Sequence, residues 1–556
     1  MGRIWPPEAV AQHQSTATWG NISTVTESRR REGVMIVGTD DGLVQVSIDG
    51  GANWRRSERP PGLPDYGNYG VYVQEVAASK HDENVVYSLH ENTKNGDFKP
   101  YIYKSTNRGG SWESIAGDLP ANSPVLSFAE DHVNPNLLFV GTEHALHFTV
   151  DGGKKWIRLR GNLPTIPVRD LAIQERENDL VLATFGRGFY VLDDYSPLRE
   201  VSQGIFDRDA HIFPTKAAAI EVPEQGRSRG SQGEQLWMAE NRPIGALITY
   251  WIKEAPRSSR QRRQDTTRAT EAKNASPRYP TQQELTAEAD EETPQTFMTI
   301  TDSTGRIVRR LSVSGGRGMH RYVWNLRGSA PTTGGGGFGG GGGGGGNPDA
   351  DPPIFQGSTG GGSFVQPGTY RIALSRRAGG TVTALGEPQT LTVTADPGVT
   401  LTPAQRTAAA EYHGRVDKLQ RAFTGALELA NTTRTKTQAI QRALVDSPAD
   451  LKLMDEARRF DQRVLAILRA LRGDETLRGL ESGDPSTIQD RVNSAVQGAR
   501  GLTGAPTGTQ QRNYEIANED LTAQINALRT LDAELRKFEQ QLEAAGVPYT
   551  PGRIPG

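Results

Sequence analysis

Side chains that could bind a ligand or exchange protons lie between predicted strands in the first 200 residues of the chain. They are carboxylates, imidazoles, phenols and one guanidinium: Asp40, Asp41, Tyr66, Tyr69, His90, Glu91, Glu143, His144 and Arg187. Such groups could bind a carbohydrate or a peptide. A pair of carboxylates, with Asp41 and Glu143 as the candidates, could also run acid–base hydrolysis. Solvated loop residues without a ligand are the alternative interpretation.

The elements that would position these side chains are repeats that carry one short motif, Ser/Thr-x-Asp-x-Gly-x-x-Trp. In each copy we expect the acidic residue to accept backbone N–H bonds in a tight turn, and the glycine to supply the positive φ of that turn. The tryptophan ring is expected to be buried between neighbouring repeats. The motif residues are therefore predicted to be structural: Ser47, Asp49, Gly51 and Trp54; Ser105, Asn107, Gly109 and Trp112; Thr149, Asp151, Gly153 and Trp156.

Each motif follows an apolar or alternating run, and a fourth, degenerate copy over 184–193 lacks the tryptophan. Repeats of roughly 40–60 residues, each of which needs a neighbour to bury one face, are typical of β-propeller blades. Residues 1–205 are thus predicted to form about four blades. The loops opposite the motif turns would carry the nine candidate side chains on one rim.

The pattern changes twice further along the chain. Residues 206–239 are predicted to be a linker, and 240–397 an Ig-like or fibronectin-like β domain with disordered insertions at 255–293 and 329–362. Residues 398–556 have apolar residues at helical spacing, which predicts an antiparallel helical bundle. The predicted fold class is mainly β with an α-helical C-terminal region.

Composition limits the function classes. With 63 Lys and Arg against 65 Asp and Glu, the formal net charge of −2 gives no global reason to bind nucleic acid or an anionic membrane. The lack of cysteine excludes disulfides, thiolate zinc sites and cysteine nucleophiles. No apolar run approaches the roughly 18 residues of a transmembrane helix, so no membrane insertion is predicted. The histidines are scattered, so neither a metal site nor a cofactor is predicted.

A family resemblance is carried by the three motifs and by three longer segments: HDENVVYSLHENTKNGDFKPYIYKSTNRGGSW (81–112), NPNLLFVGTEHALHFTVDGGKKW (134–156) and LPTIPVRDLAIQERENDLVLATFGRGFYVLDDYSPLRE (163–200). The chain resembles bacterial BNR/Asp-box proteins with a sortilin-type (VPS10-like) propeller, which are often labelled glycosyl hydrolases. Members of that family are exported and about twice as long. The resemblance therefore implies an extracellular or periplasmic protein of which this chain is the C-terminal half, truncated at its N-terminus.

The resemblance also implies a function. We expect a non-catalytic exported binding protein whose propeller face holds a peptide or a glycan. The main alternative is a sialidase- or xyloglucanase-like glycoside hydrolase whose catalytic carboxylates lie partly in missing blades. Sialidase-type catalysis needs an arginine cluster, and this sequence offers little beyond Arg187. An assembly factor is a third hypothesis. Self-association, or a partner that completes the propeller, is a further expectation.

Two expectations concern stability. If the motif tryptophans are core residues, Trp54→Ala, Trp112→Ala and Trp156→Ala should each cost about 3–5 kcal/mol of unfolding free energy. If Asp41 and Glu143 lie in solvated loops, their replacement by alanine should leave the unfolding free energy almost unchanged.

Overall fold

The structure, a computed structural model, describes residues 20–66, 70–161, 163–221, 244–329, 356–357, 360–396, 398, 401–474, 486–500 and 504–551. Tyr69, much of the predicted linker 206–239 and most of the predicted insertion 329–362 lie outside the described residues. The chain divides into two compact units, Met1–Phe213 with Asp349–Ile354, and Pro214–Pro348 with Phe355–Gly556. None of the helices in the described ranges is long and apolar enough to cross a membrane.

Within its described residues, the first unit contains four antiparallel sheets that follow one another along the chain, with the strands of each sheet in sequence order. Valine, isoleucine and aromatic residues fill the inner strands, as expected for segments that pack on pleated surfaces. We call them the first to fourth sheets: β1 (Ile22–Glu27), β2 (Met35–Thr39), β3 (Val44–Ser47) and β4 (Arg55–Arg56); β5 (Tyr72–Ala78), β6 (Val86–Glu91), β7 (Tyr101–Ser105) and β8 (Glu113–Ser114); β9 (Val125–Glu130), β10 (Leu138–Thr142), β11 (Leu146–Thr149) and β12 (Ile157–Arg158); β13 (Val168–Gln174), β14 (Asp179–Thr184) and β15 (Phe189–Leu192).

Consecutive sheets pack face to face in a propeller-type arrangement. Val73 and Val76 of β5 share a buried cluster with Val44 and Val46 of the first sheet. The third sheet packs on the second in the same way, through β9. Gly38 allows this close approach, because a Cβ on that residue would lie 2.4 Å from a methyl of Val73. A 3-10 turn (Ser196–Glu200), α1 (Gln203–Phe206) and β16 (Ala210–Ile212) follow the fourth sheet.

The three motif turns share one hydrogen-bond pattern. In the first, the Ser47 hydroxyl donates to Asp49 Oδ1 at 2.8 Å, and that oxygen accepts the backbone N–H of Asn53 at 2.9 Å. In the second, Asn107 Oδ1 replaces the carboxylate oxygen and accepts from Ser111 N at 2.8 Å. The amide can take over this role because the turn uses only an acceptor oxygen.

The burial of the motif tryptophans differs among the three copies. Trp112 and Trp156 are 8% and 6% exposed, and their indole N–H groups donate to the preceding sheet, Trp112 to Ser57 Oγ and Trp156 to Ile115 O, each at 2.9 Å. The prediction of a buried ring is wrong for Trp54, which is 40% exposed. The reason is that among the described residues no sheet precedes the first one to cover this ring.

The second unit begins with two sheets. Met298, Ile300 and Ile372 form part of a buried layer, and the rings of Trp324 and Tyr370, one from each sheet, meet edge to face at 5.7 Å. To one sheet the second unit contributes β18 (Ala246–Ile252), β21 (Gly318–Trp324) and β22 (Gln356–Gly357), and the strands of the other are β17 (Ala218–Ala219), β24 (Thr381–Thr394), β23 (Gly368–Ala378), β19 (Gln295–Asp302) and β20 (Ile307–Val313).

The prediction that residues 255–293 are disordered is wrong, because they contain α2 (Ser259–Glu271) and α3 (Gln282–Asp290). Neither helix buries a residue, so hydrophobic packing does not account for them. Each begins with a capping box, in which a side-chain oxygen and the third helical residue satisfy backbone N–H groups. Arg263 of α2 donates two hydrogen bonds to the Glu288 carboxylate of α3, at 2.7 and 2.8 Å.

In the described part of the C-terminal region there are four further helices: α4 (Pro403–Val445), α5 (Lys452–Arg472), α6 (Ile488–Arg500) and α7 (Gly508–Ala544). Thr402 and Thr507 cap α4 and α7 with capping boxes. The apolar residues at helical spacing lie in one shared core, in which the rings of Phe460 and Phe538 are 5.4 Å apart.

Candidate functional site

The polar groups that the structure brings together lie in a cleft at the junction of the first and second sheets. The cleft has a volume of about 420 Å³. Two of its residues, Asp40 and Glu91, belong to the sequence-predicted set. We call it the Tyr72 cleft, and it is lined by Asn21, Ile22, Ser23, Asp40, Tyr72, Gln74, Glu91 and Lys94.

Hydrogen bonds within the first sheet fix one wall of the Tyr72 cleft. Asp40 follows β2, and its carboxylate accepts the backbone N–H of Asn21 at 2.7 Å and the Asn21 side-chain amide at 3.1 Å. Ser23 donates to the carbonyl of Val73 at 2.7 Å, which ties β1 to β5. Because both Asp40 oxygens hold Asn21, this carboxylate shapes the cleft wall before any ligand arrives.

The opposite wall comes from the second sheet. Glu91 ends β6 and accepts a hydrogen bond from the Thr93 hydroxyl at 2.5 Å, at the start of the 3-10 turn Thr93–Asn95. That turn carries Lys94, whose ammonium lies 5.6 Å from the centre of the Tyr72 ring. A cation over an aromatic ring at this distance is attracted to the ring face.

The electrostatic surroundings of Tyr72 keep its phenol protonated. Burial, and then the negative charges of Glu91 and Asp40, raise the pKa of Tyr72, and a hydrogen bond with Ser23 acts in the opposite direction. The cleft thus combines a phenol, an ammonium, two amides and two carboxylates. These groups can orient a ligand rich in hydroxyl or amide groups by hydrogen bonds and ring stacking.

Asp41 does not lie on a rim, so the prediction that places it among the exposed loop side chains is wrong. Its side chain is 2% exposed and accepts a 2.5 Å hydrogen bond from the Thr39 hydroxyl. The turn after β2 directs it inward against Gly20, where an added Cβ would lie 2.8 Å from Oδ2. The solvated loop on which the expectation for Asp41→Ala rested is therefore not present at this residue.

His90 is also buried rather than at the rim. It lies on β6 with its side chain fully inaccessible to solvent. Its Nε2 is 2.9 Å from the Ser88 hydroxyl, and its Nδ1 is 3.5 Å from the Val71 carbonyl. Burial lowers the pKa of His90 to about 4, so the imidazole is neutral and is not available to a ligand. Strand alternation places the ring in the sheet interface, which residue type alone does not reveal.

The remaining rim candidates do not line the Tyr72 cleft. Tyr66 is held by Asn92, whose amide donates to its hydroxyl at 2.8 Å. Glu143 lies in the β10–β11 loop of the third sheet, and one of its carboxylate oxygens is 3.8 Å from a guanidinium nitrogen of Arg169 on β13 of the fourth sheet. His144 and Arg187 are exposed in the loops between the second and third strands of those sheets. In the described part of the chain, no group of three His, Asp or Glu side chains could hold a metal ion.

Sequence reasoning missed Tyr72, Gln74 and Lys94. Tyr72 and Gln74 lie on β5, a strand in which polar residues are usually explained by sheet packing. A bulge between Val73 and Glu75 interrupts the pairing of β5 with β6 and changes the alternation at this point. The sequence signal that could have pointed to the cleft is the pair of polar side chains, Tyr72 and Gln74, near the start of β5.

Glu75, on the same strand, has a second unusual environment. Its carboxylate accepts the backbone N–H of Phe128 at 3.0 Å and so joins the second sheet to the third. Burial, and to a smaller extent the charge of Asp170, raise the pKa of Glu75 to about 8. The carboxyl group is therefore largely protonated at neutral pH.

The raised pKa of Glu75 predicts a pH-dependent stability. The folded state holds the proton more tightly than the unfolded state, so the stability contributed by the neutral form declines as pH rises from 4.5 to about 8. Glu75→Gln keeps an acceptor for Phe128 N–H without the charge. We expect this substitution to leave the free energy of unfolding unchanged near pH 5 and to raise it by on the order of 2–4 kcal/mol at pH 9. Urea unfolding at both pH values measures the change in unfolding free energy. An equal change at pH 5 and pH 9 would contradict the raised pKa of Glu75.

Comparison with known proteins gives only distant similarities. No protein-family model matches the sequence, and no curated protein matches it. A GH74 enzyme of Niastella koreensis is 11% identical over 32% of this chain and 29% of that chain, with a TM-score of 0.26. A GH74 xyloglucanase from Xanthomonas campestris is 15% identical over 42% and 34%, with a TM-score of 0.26. YCF48 bound to D1 peptide is 17% identical over 32% and 52%, with a TM-score of 0.24.

The chain therefore spans less than two thirds of each of these structures. At such TM-scores the likeness adds nothing to the assignment of a propeller-type arrangement. That assignment rests on the order and packing of the four sheets.

Proposed function

We propose that this protein is a non-catalytic binding protein that holds a peptide or a glycan in the Tyr72 cleft. The observation that carries the proposal is the arrangement of Lys94 over the Tyr72 ring, with the carboxylates of Asp40 and Glu91 close enough to raise the pKa of that phenol. Aromatic faces bordered by charged and amide groups suit the alternating apolar and polar surfaces of sugars and of extended peptides.

The wider context of the proposal follows the sequence analysis. We infer a sortilin-type Asp-box propeller in 1–205, a linker in 206–239, an Ig-like β domain in 240–397 and an antiparallel helical bundle in 398–556. The edge-to-face contact between Trp324 and Tyr370 of the two sheets and the shared helical core support the last two assignments. An extracellular or periplasmic location belongs to the same proposal.

A glycoside hydrolase is the alternative function. Burial of Asp41 removes one of its two candidate carboxylates, and Glu143 is close to Arg169 instead of a second carboxylate. One observation favours the alternative: Glu75 has the raised pKa that a general acid needs at neutral pH. Its hydrogen bond to Phe128 supports a structural role for this group.

A screen of the full chain on glycan and peptide arrays tests the proposal. We expect a specific hit whose affinity falls about tenfold or more in Lys94→Ala, since a hydrogen bond to a charged group contributes about 1.5–3 kcal/mol. Lys154→Ala, an exposed lysine in the third motif turn, is the matched control and should bind normally. Release of reducing sugar from a glycan hit would favour the hydrolase. A hit that binds Lys94→Ala and wild type equally would contradict the cleft assignment.

A further inference from the structure

The first and fourth sheets each leave one apolar face exposed to solvent. On the first sheet the exposed side chains include Ile22 and Val25, the latter 60% exposed. On the fourth sheet they include Val191 and Phe189, the latter 76% exposed. Apolar side chains grouped on a sheet face in this way mark an interaction surface.

Strand register shows what the face of the first sheet is built to contact. Val25 pairs with Val37, as Val76 pairs with Ser88 in the second sheet and Phe128 pairs with Val140 in the third. Val76 and Phe128 are buried because each packs on the preceding sheet. Val25 therefore occupies the position whose side chain, in the second and third sheets, packs on the preceding sheet.

The face of the fourth sheet is the other half of such an interface. Phe189 pairs with Ala183, as Val44 pairs with Gly38 and Ile102 pairs with Leu89 in the first two sheets. Val44 and Ile102 are buried because the first strand of the next sheet packs on them. Phe189 thus occupies the position on which, in the first two sheets, the next sheet packs.

We propose that two copies of the chain pair head to tail, with the first-sheet face of each copy on the fourth-sheet face of the other. The contact continues the interface that already joins consecutive sheets inside each copy. It is heterologous, and the proposal is that it closes after two copies with eight sheets in total. The half-exposed ring of Trp54 would gain the cover that Trp112 and Trp156 receive from the sheet before them.

Within one copy, Glu175 of the fourth-sheet turn also pairs with Arg29 and with Lys80 of the first and second sheets, at 2.7 and 3.2 Å. Arg29 and Glu175 are 2.7 Å apart, but their side chains are 68% and 40% exposed, so their attraction is screened by water. The pair joins turns, and the apolar faces of both sheets stay exposed.

Light scattering after size exclusion of the full chain, together with two charge variants, tests the proposal. Wild type is expected at twice the single-chain mass of 60.4 kDa. Val25→Lys alone and Phe189→Glu alone are expected at the single-chain mass, because each places a charge in both contacts of the pair. Val133→Lys, at an exposed valine in the β9–β10 turn, is the control and should remain paired.

Mixing the two charge variants distinguishes a head-to-tail contact from any other. In the mixed pair one contact is wild type on both sides and the other joins lysine to glutamate, so the doubled mass should return. Circular dichroism checks that both variants are folded. A single-chain mass for wild type, pairing that survives both substitutions, or a mixture that stays unpaired would each overturn the proposal.

Discussion

Trp112→Ala and Trp156→Ala are expected to lower the free energy of unfolding by about 3–5 kcal/mol each, and Trp54→Ala by much less. The two buried rings fill the interface with the preceding sheet, and each indole N–H donates a hydrogen bond to that sheet. Truncation would leave a cavity and an unsatisfied acceptor. Trp54 is 40% exposed and leaves neither.

Urea unfolding followed by circular dichroism measures these differences, because fluorescence would change with the tryptophan count. The three substitutions are compared in the Phe189→Glu background, so that pairing of two copies does not contribute. Equal losses for all three tryptophans would contradict the packing of the sheets described above.

Asp131→Ala is expected to cost about 3–5 kcal/mol, since it removes one partner of a buried ion pair. The Asp131 carboxylate is inaccessible to solvent and accepts two hydrogen bonds from Arg199 at 2.8 Å and one from Tyr195 at 2.6 Å. It also accepts the backbone N–H of Asn134 at 2.7 Å. These bonds tie the segment after the fourth sheet to the third sheet.

Acid should weaken the same contact. Burial acts to raise the pKa of Asp131, but the hydrogen bonds from Arg199 and Tyr195 outweigh it and lower that pKa. The carboxylate therefore contributes stability above its unfolded pKa near 3.8, and the contribution is lost as pH falls below that value. Arg176→Ala, at a guanidinium whose side chain is 82% exposed, is the control and should change the unfolding free energy by less than about 0.5 kcal/mol. Similar losses for Asp131→Ala and Arg176→Ala in thermal unfolding would refute the buried pair.

The repeats and the helices could be predicted because their signals are periodic. The motif spacing marks the turns of the first three sheets, and the apolar spacing of residues such as Tyr412, Val416 and Phe423 marks a helix face that the structure buries. The α2 and α3 helices could not be predicted from hydrophobic pattern, since capping boxes and the Arg263–Glu288 pair account for them.

The candidate site was predicted only in part. Asp40 and Glu91 were found because they lie at strand ends, but their neighbours Asp41 and His90 are buried. Which of two adjacent residues faces the cleft depends on the turn after β2 and on the register of β6. Tyr72 reaches the cleft beside a bulge in β5, and a bulge leaves no mark in residue type.

Amide hydrogen exchange of the full chain, with and without the best array hit, tests the location of the binding site most directly. Binding in the Tyr72 cleft predicts slower exchange in peptides that cover residues 21–23, 72–74 and 91–95. Protection confined to the third and fourth sheets, around Glu143 and Arg187, would contradict it and would place the ligand on the other loops.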